Sequence, residues 1–185
     1  MLDCLTSGTG SIGSFHDVSD PYDLHRFVAA QNEGDPFTYE SALHEMNRGH
    51  KENHWIWYVF PQIPWDHPTK SDESKRYAIR SIAEARAYVR DDLLRSRFIE
   101  IMKIVRRHLL ADSSPTKPLV LMGSTTDCGK LISSATLFHA VAVSLGDDEL
   151  VFLLQDVLDS LSDRAGKNVT CAKTVAWLKQ EELDS

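Results

Sequence analysis

Apolar residues recur at the spacing of an α-helix along most of this sequence, and this periodicity most constrains its fold. The longest stripe lies near the middle of the chain, where apolar residues three, four and seven positions apart share one face. Such a stripe predicts a helix that buries one face against neighbouring helices. Its members are Leu94, Phe98, Ile101, Met102, Val105 and Leu109.

Start and stop signals divide the rest of the chain into further helices. Asp20-Pro21 and Asp35-Pro36 predict two helix starts, because Asp accepts hydrogen bonds from free N–H groups and Pro fits the first turn. Gly49 predicts the end of the second helix, since glycine takes the left-handed conformation without strain. Ser81, with Glu84 three residues later, predicts a capping box. Three more helices are predicted over residues 134–144, 148–161 and 170–179.

Few segments of the sequence could form strands. Residues 55–60 and 119–122 are short runs that suit a strand, and neither has an obvious partner of comparable length. The sequence shows no internal repeat and no strand–helix alternation. We therefore predict an all-α fold with at most one or two short strands, in a single compact multi-helix domain over residues 20–185. Residues 1–19, rich in Gly, Ser and Thr, are expected to form a flexible leader.

Length and composition argue against several classes of protein. The 185 residues suit one domain, and a hydrophobic content of 42% is enough for a buried core. No apolar run approaches the roughly 18 residues of a membrane span, and the N-terminus lacks the features of a secretory signal. The three cysteines are widely spaced and form no CxxC pair. We therefore expect a cytoplasmic protein that does not associate with a membrane.

Charge is unevenly distributed along the chain. The net charge is −7, yet residues 75–108 hold ten Lys and Arg against four Asp and Glu, which leaves −13 for the remainder. This asymmetry fits a face that binds a polyanion. It also fits the solvated faces of amphipathic helices that are laced with ion pairs. The sequence leaves both interpretations open.

Residues 50–62, with the sequence HKENHWIWYVFPQ, are the most unusual part of the chain. Four aromatic residues and two histidines lie beside Lys, Glu and Gln. His54 and Tyr58 share a face whether the segment is helical or extended. Aromatic walls beside polar groups are typical of a pocket for a small ligand. Trp55 and Phe60 suit a packed core equally well.

A second polar cluster covers residues 123–136. It superficially resembles a phosphate-binding loop, but five residues separate its two glycines and leucine follows the lysine, which argues against a nucleotide site. Ser133 and Ser134 are candidate nucleophiles, although no GxSxG sequence surrounds them. Alternatively, one of the two serines caps the helix that follows, and Asp127 caps a short turn before it.

Histidine spacing argues against a metal site. His44, His50 and His54 lie six and four residues apart, no HExxH sequence occurs, and Gly49 predicts a break in the chain near them. His139 lies within an apolar helix and is expected to be a core histidine. We expect neither a metal nor a cofactor.

The string HWxWxxFPQ at residues 54–62 is highly specific, and other short motifs accompany it along the chain. They include Asp20, Pro21, Tyr22, Leu24, Arg26, Phe27, Gln31, Tyr39, Gly49, Lys51, Tyr77, Glu84, Tyr88, Gly123, Asp127, Lys130, Ser133, Ser134 and Phe138. On these residues the chain resembles the domain-of-unknown-function family 1810 over about residues 20–145. The resemblance implies an all-helical fold.

Two departures from the family pattern flank the same string. Asn53 replaces the usual serine before His-Trp, and residues 63–68 replace a Gly-rich link. Trp65 and His67 are therefore expected to tune specificity.

The resemblance extends to fungal arginine-containing cyclodipeptide synthases, which close a diketopiperazine from two aminoacyl-tRNAs. It implies acyl transfer from an activated ester, without ATP, in which His54 is the acid or base, Ser133 or Ser134 accepts the acyl group, and Lys51 and Tyr58 donate hydrogen bonds. The expected partners are aminoacyl-tRNA and a small-molecule substrate. Expected substrate-binding residues are Trp57, Gln62, Tyr77, Glu40, Glu45, Asp127, Lys130, Arg26 and Gln31. Expected tRNA-binding residues are Arg76, Arg80, Arg86, Arg90, Arg106 and Arg107.

Two other functions fit the same pattern. One is a transferase or hydrolase that acts on another small cationic or nucleotide-derived substrate. The other is a helical module that binds a ligand or peptide without turnover. Turnover distinguishes the enzymes from the module, and a steep salt dependence distinguishes tRNA from a small neutral ligand.

Overall fold

Helices form the regular structure of this chain. The computed structural model describes residues 20–34, 37–64, 71–111, 117–165 and 170–183, and these ranges contain no strand, only a parallel bridge between Gln62 and Ala78. The helices are α1 (His25–Glu33), α2 (Tyr39–Arg48), α3 (Ile56–Val59), α4 (Asp72–Arg76), α5 (Ile82–Arg90), α6 (Asp92–Ala111), α7 (Lys117–Met122), α8 (Thr125–Leu145), α9 (Asp148–Ala165) and α10 (Ala172–Leu183). The predicted all-α, single-domain fold is confirmed.

Some sequence expectations fall outside the described residues. These are the leader at residues 1–19, the start signal Asp35-Pro36, and the proposed specificity residues Trp65 and His67.

Two predicted boundary signals act as expected. Gly49 ends α2 with a φ of 81°, and its N–H donates to the Met46 carbonyl at 3.0 Å. Ser81 begins α5, because its Oγ accepts the Glu84 N–H at 3.1 Å. The Glu84 carboxylate in turn accepts the Arg80 N–H at 2.8 Å, one residue before the position that a capping box uses.

Other predicted boundaries were wrong. α1 begins at His25 rather than at Pro21, although the Asp20 carboxylate does accept the His25 N–H at 2.8 Å. The two possible strands are helical: residues 56–59 form α3, and residues 119–122 belong to α7. Pro118 lies in the first turn of α7, where its fixed φ favours a helix.

The start of α8 also differs from its prediction. This helix begins at Thr125, and the Oγ of Ser124 accepts the Asp127 N–H at 3.1 Å as its cap. Ser133 and Ser134 therefore lie inside the helix and cap nothing. A single helix forms because residues 125–134 all continue it. Gly129 is the weakest helix former among them, and its propensity cost of about 1 kcal/mol is offset by packing.

α8 is the central helix, and it packs against α5, α7, α9 and α10. By length and composition it is also apolar enough to cross a membrane, but half of that segment is buried inside the domain. Its rings join those of other helices: the Phe138 ring centroid lies 4.8 Å from that of Phe98 in α6 and 5.1 Å from that of Tyr88 in α5. These contacts bury part of the apolar surface of α8.

The buried side chain of Arg26 joins α1, α4 and α5. Its guanidinium donates to the carbonyl oxygens of Arg76 at 2.9 Å and Ala78 at 3.0 Å, and it forms an ion pair with Glu84. Both side chains of the pair are only 4% exposed. The segment after α4 is thereby held against α1. We call this set of contacts the Arg26 clamp.

Arg26→Met is expected to lower the free energy of unfolding by about 3–5 kcal/mol, because it leaves the Glu84 carboxylate buried without its cation. The control, Lys75→Gln, breaks the exposed pair with Asp72, whose side chains are 61% and 97% exposed. It is expected to cost less than about 1 kcal/mol. Urea unfolding measured by circular dichroism compares the two. Equal losses in the two variants would contradict a stabilising clamp.

Candidate functional site

A cavity of about 730 Å³ opens between α1, α3 and α4. The small side chains of Ala29 and Ala30 leave space on the α1 side, and α4 forms part of the opposite side. Five of the residues that line it have rings, and such ring-rich walls are typical of ligand pockets. The rings are those of Phe37, His54, Trp57, Tyr58 and Tyr77.

Charged side chains surround this ring-lined space. Glu33, at the end of α1, and Asp72 and Glu73, at the start of α4, are exposed carboxylates that line the cavity. Arg76 is the cation among the lining residues, and its guanidinium carbon lies 5.4 Å from the centroid of the Tyr77 ring. Lys75, outside the cavity, pairs with Asp72 at 3.3 Å, but the carboxylates among the lining residues still outnumber the single guanidinium, and this excess favours a cationic ligand.

His54 is exposed and lies between two other rings of the cavity. Its ring centroid is 6.5 Å from that of Phe37 and 6.4 Å from that of Trp57, and it is stacked on Trp57 with an interplanar angle of 27°. Neither ring nitrogen forms a hydrogen bond with the described part of the chain, and the side chain is exposed where it lines the cavity. The predicted acid–base residue is therefore open to a ligand.

Tyr58 and Tyr77 supply walls rather than reactive groups. The Tyr58 hydroxyl donates to the Phe37 carbonyl oxygen, and its ring lies 5.3 Å from that of Tyr77. Burial raises the pKa of Tyr58 to about 12, further from neutrality than the ordinary value for tyrosine. A hydroxyl that is already committed and this weakly acidic does not suit the catalytic role predicted for Tyr58.

The carboxylate of Glu45 shapes the loop that carries His54. It accepts the backbone N–H groups of Glu52 at 2.8 Å and Asn53 at 3.1 Å, and the indole N–H of Trp55 at 2.8 Å. Burial alone would raise the pKa of Glu45, but these hydrogen bonds outweigh burial and lower it. Glu45 was predicted to contact substrate, whereas the structure has its carboxylate occupied by the chain itself.

The two polar segments of the sequence converge behind Trp57. The Lys51 Nζ lies 2.7 Å from one carboxylate oxygen of Asp127, and the Lys130 Nζ lies 2.9 Å from the other. Lys130 also sits over the Trp57 ring, 4.7 Å from its centroid. Trp57 therefore connects the cavity to this charged group, which we call the Asp127 triad (Lys51, Asp127 and Lys130).

The Asp127 triad is a structural support, because Asp127 holds both of its lysines in ion pairs. Burial would raise the pKa of Asp127, but the hydrogen bonds and charges of Lys51 and Lys130 outweigh burial and hold that pKa below its usual value. The Lys51 side chain is 5% exposed, and its Nζ also donates to the Asn53 carbonyl at 2.6 Å. Lys51 is thus committed to the loop before α3 and does not line the cavity.

Ser133 and Ser134 do not reach the cavity. Both are fully buried within α8. The Ser133 Oγ lies 2.9 Å from the Oγ1 of Thr174 in α10, and the Ser134 Oγ has no hydrogen-bond partner in the described part of the chain. The prediction that one of them accepts an acyl group is corrected, because a nucleophile must be accessible to its substrate.

Four other predicted substrate-binding residues also lie away from the cavity. Arg26 belongs to the clamp, and the buried Gln31 donates to the Tyr58 carbonyl at 2.8 Å. Glu40 is exposed in the first turn of α2. Gln62 contributes its backbone carbonyl to the bridge with Ala78, where the Ile79 N–H donates to it at 2.8 Å. Of the predicted set, Trp57 and Tyr77 line the cavity.

The basic stretch divides between two surfaces. The α6 arginines predicted to bind tRNA have partners: Arg106 pairs with Asp156 at 2.7 Å, and Arg107 donates to Asn47 at 3.0 Å. Arg86 and Arg90, in α5, are exposed and form no ion pair with the described residues. The solvated-helix interpretation therefore suits α6, whereas α5 retains cations without acidic partners.

The family model described as protein of unknown function (DUF1810) matches residues 21–172. The chain belongs to this family. The crystal structure of the conserved hypothetical protein Rv1873 from Mycobacterium tuberculosis is similar, with a TM-score of 0.67 and 34% sequence identity, over 86% of this chain and 99% of that chain. No protein of curated function matches the sequence. Neither description states an activity.

Sequence reasoning missed several residues of the cavity of this DUF1810 protein. Glu33, Phe37, Asp72 and Glu73 were not singled out, because each looks like an ordinary helix-end or loop residue. Only the packing of α4 beside α1 brings these carboxylates to the rings. The one available signal was the acidic pair after Ser71, which resembles the first turn of a capped helix.

Glu45→Gln is expected to destabilise the protein at pH 7 by about 1.5–3 kcal/mol, the typical contribution of hydrogen bonds to a charged group. Because the pKa of Glu45 is lowered in the folded state, its stabilisation is present above the ordinary value of 4.5 and is lost as the pH falls through the folded value. Urea unfolding of both proteins from pH 7 to pH 3 measures this. A difference that stays constant over that range would contradict the role of the carboxylate charge.

Proposed function

We propose that this protein is an aminoacyl transferase, a cyclodipeptide synthase that joins arginine and a second amino acid from their aminoacyl-tRNAs into a diketopiperazine. The observation that carries the proposal is the cavity between α1, α3 and α4, where carboxylates and aromatic rings surround about 730 Å³. The resemblance to arginine-containing cyclodipeptide synthases supplies the reaction. The cavity supplies the chemistry that an arginyl side chain requires.

A guanidinium group forms two kinds of contact, and the cavity offers partners for both. Its N–H groups pair in parallel with carboxylate oxygens, which Glu33, Asp72 and Glu73 offer. Its planar faces stack on aromatic rings, which Trp57 and Tyr77 offer. A neutral side chain of equal size would form neither the charged hydrogen bonds nor the cation–π contact, so the arrangement favours a cation.

The reaction exchanges two ester bonds for two amide bonds. The amino nitrogen of one aminoacyl group attacks the ester carbonyl carbon of the other, a C–N bond forms, and the ester C–O bond breaks. The departing ribose oxygen gains the proton that the amine loses. The free amine of the resulting dipeptidyl ester then attacks its own ester carbonyl, closes the ring and releases the second tRNA. No ATP is consumed, because both esters are already activated.

His54 is the side chain best placed to carry the proton. It lines the cavity, is exposed and makes no hydrogen bond with the described residues that would hold its proton elsewhere. In this role it accepts the proton of the attacking amine and returns it to the departing oxygen. Arg76 lines the same space and supplies positive charge for the oxyanion that forms at the carbonyl.

Burial of the two serines favours direct transfer. Ser133 and Ser134 are enclosed in α8, so the proposal uses no covalent acyl-enzyme. Amine attack on the bound ester then gives each amide bond in one displacement.

A second candidate is a helical module that binds an organic cation without turnover. It is favoured because four of the five predicted catalytic side chains are buried or engaged in structural contacts, namely Lys51, Tyr58, Ser133 and Ser134. Such a module would use the same carboxylates and rings and would need no acid or base.

Expression in a bacterial host is expected to release arginine-containing diketopiperazines, which mass spectrometry of the medium detects. His54→Ala is expected to lower their yield by about 100-fold or more, since positioned acid–base groups contribute at least that much. The control is His44→Ala, which removes an exposed histidine of α2 outside the cavity. Folded wild-type protein that yields no product would exclude this reaction with the host's aminoacyl-tRNAs.

A triple variant, Glu33→Gln, Asp72→Asn and Glu73→Gln, is expected to bind arginine methyl ester at least ten-fold more weakly, a change of about 1.4 kcal/mol. Citrulline methyl ester, a neutral analogue of similar shape, serves as the matched ligand and should lose little affinity. Calorimetric titration measures both. An equal loss for the two esters would reject guanidinium recognition. Wild-type binding without any product would instead support the module.

A further inference from the structure

A second cavity, of about 500 Å³, lies on the outer face of α5. Ala83 and Ala87, one turn apart, line it with small side chains, while Arg86 and Arg90 on the same face and Tyr22 before α1 line it with large ones. We call this surface the Arg86 groove. The balance of charge differs from that of the first cavity, because two arginines line the groove against one carboxylate, that of Asp91.

The two arginines of the groove lack acidic partners. Arg90 makes no hydrogen bond or ion pair with the described residues, and the nearest partner of Arg86 is the Ser144 Oγ, 3.4 Å from its Nε. Asp91 also lines the groove, but its Oδ1 accepts the Leu94 N–H at 2.9 Å near the start of α6. Arginines four residues apart on a helix repel each other, and a bound anion would remove that repulsion.

The arginines of α6 contrast with this pair. Arg95 forms hydrogen bonds with both carboxylate oxygens of Asp147, at 3.0 and 2.8 Å from its Nη2, and Lys103 pairs with Glu149 at 3.0 Å. Arg106 is likewise paired with Asp156. Asp147 before α9 and acidic residues within α9 thus neutralise three of the α6 cations, whereas Arg86 and Arg90 form no ion pair in the described part of the chain.

The Arg26 clamp places the groove next to the first cavity. The guanidinium of Arg26 donates to the Tyr22 carbonyl at 2.6 Å and to the Arg76 carbonyl at 2.9 Å. Tyr22 borders the groove and Arg76 borders the first cavity. One guanidinium group thus bridges a backbone carbonyl beside the groove and a backbone carbonyl beside the first cavity, so the two sites are neighbours.

We infer that the Arg86 groove binds phosphodiester groups at the acceptor end of an aminoacyl-tRNA whose aminoacyl group enters the first cavity. Guanidinium groups bind phosphate oxygens in a bidentate manner, and the Tyr22 ring offers a stacking surface for a terminal base. The identity of this RNA rests on the proposed function. The assignment of the anion site to α5, rather than to α6, rests on the ion pairs alone.

The test compares two double variants that remove equal charge: Arg86→Gln with Arg90→Gln in the groove, and Lys103→Gln with Arg106→Gln on α6, where both cations have carboxylate partners. The probe is an uncharged arginine tRNA transcript, measured by fluorescence anisotropy at several salt concentrations. The groove variant is expected to bind at least ten-fold more weakly. Its slope of log affinity against log salt should fall by about 1.4–1.8, the value for two lost phosphate contacts. The α6 variant should match the wild type.

The other possible results also test whether the Arg86 groove binds tRNA. Equal losses in the two double variants, an unchanged salt slope, or no binding of tRNA by the wild type overturns the groove. Inorganic phosphate that binds in a groove-dependent manner without any tRNA affinity assigns a free phosphate ligand and also overturns it. His44→Ala, outside both cavities, should leave tRNA affinity unchanged. Groove-dependent tRNA binding without diketopiperazine formation rejects the proposed reaction and leaves the groove standing.

Discussion

The Arg26 guanidinium is the group on which both cavities depend. Its donors reach the carbonyls of Tyr22, Asp23, Arg76 and Ala78 and the carboxylate of Glu84. Five acceptors match the five N–H groups of an arginine side chain, so a buried charge is left with no unmet donor. Lysine, with three donors and no planar fork, cannot hold the same three segments together. One residue thereby positions α4 against α1 and sets the separation of the two sites.

The opposite wall of the first cavity depends on buried charge of the other sign. Glu45 holds the loop before α3, and Asp127 anchors Lys51 and Lys130 around Trp57. A carboxylate in the interior is stable only when donors satisfy it, and both of these are satisfied. His54 itself takes no part in these hydrogen bonds and ion pairs. Its ring is left exposed by a loop whose shape other residues maintain, which suits the acid–base role that we propose for it.

Signals that act within one turn of helix were readable from the sequence, and signals that depend on packing were not. Gly49 and Ser81 were assigned correctly because a stop or a cap needs only its neighbours. Ser133 and Ser134 were misassigned because nothing local shows that α8 begins nine residues earlier and is covered by α10. Glu33 and Asp72 meet across one cavity only after α1 and α4 pack, so no spacing rule links them.

The contrast between the two sites also fixes the direction in which a ligand can lie. An arginyl-tRNA is cationic at its aminoacyl end and polyanionic along its backbone. If it entered in reverse, its phosphates would face Glu33, Asp72 and Glu73, and its guanidinium would face Arg86 and Arg90. Both contacts would be repulsive, so the wrong orientation is disfavoured twice. Under the function that we propose, neighbouring sites of opposite charge would select the orientation of the tRNA without reading any base, and its ester carbonyl would lie between them, beside Arg76.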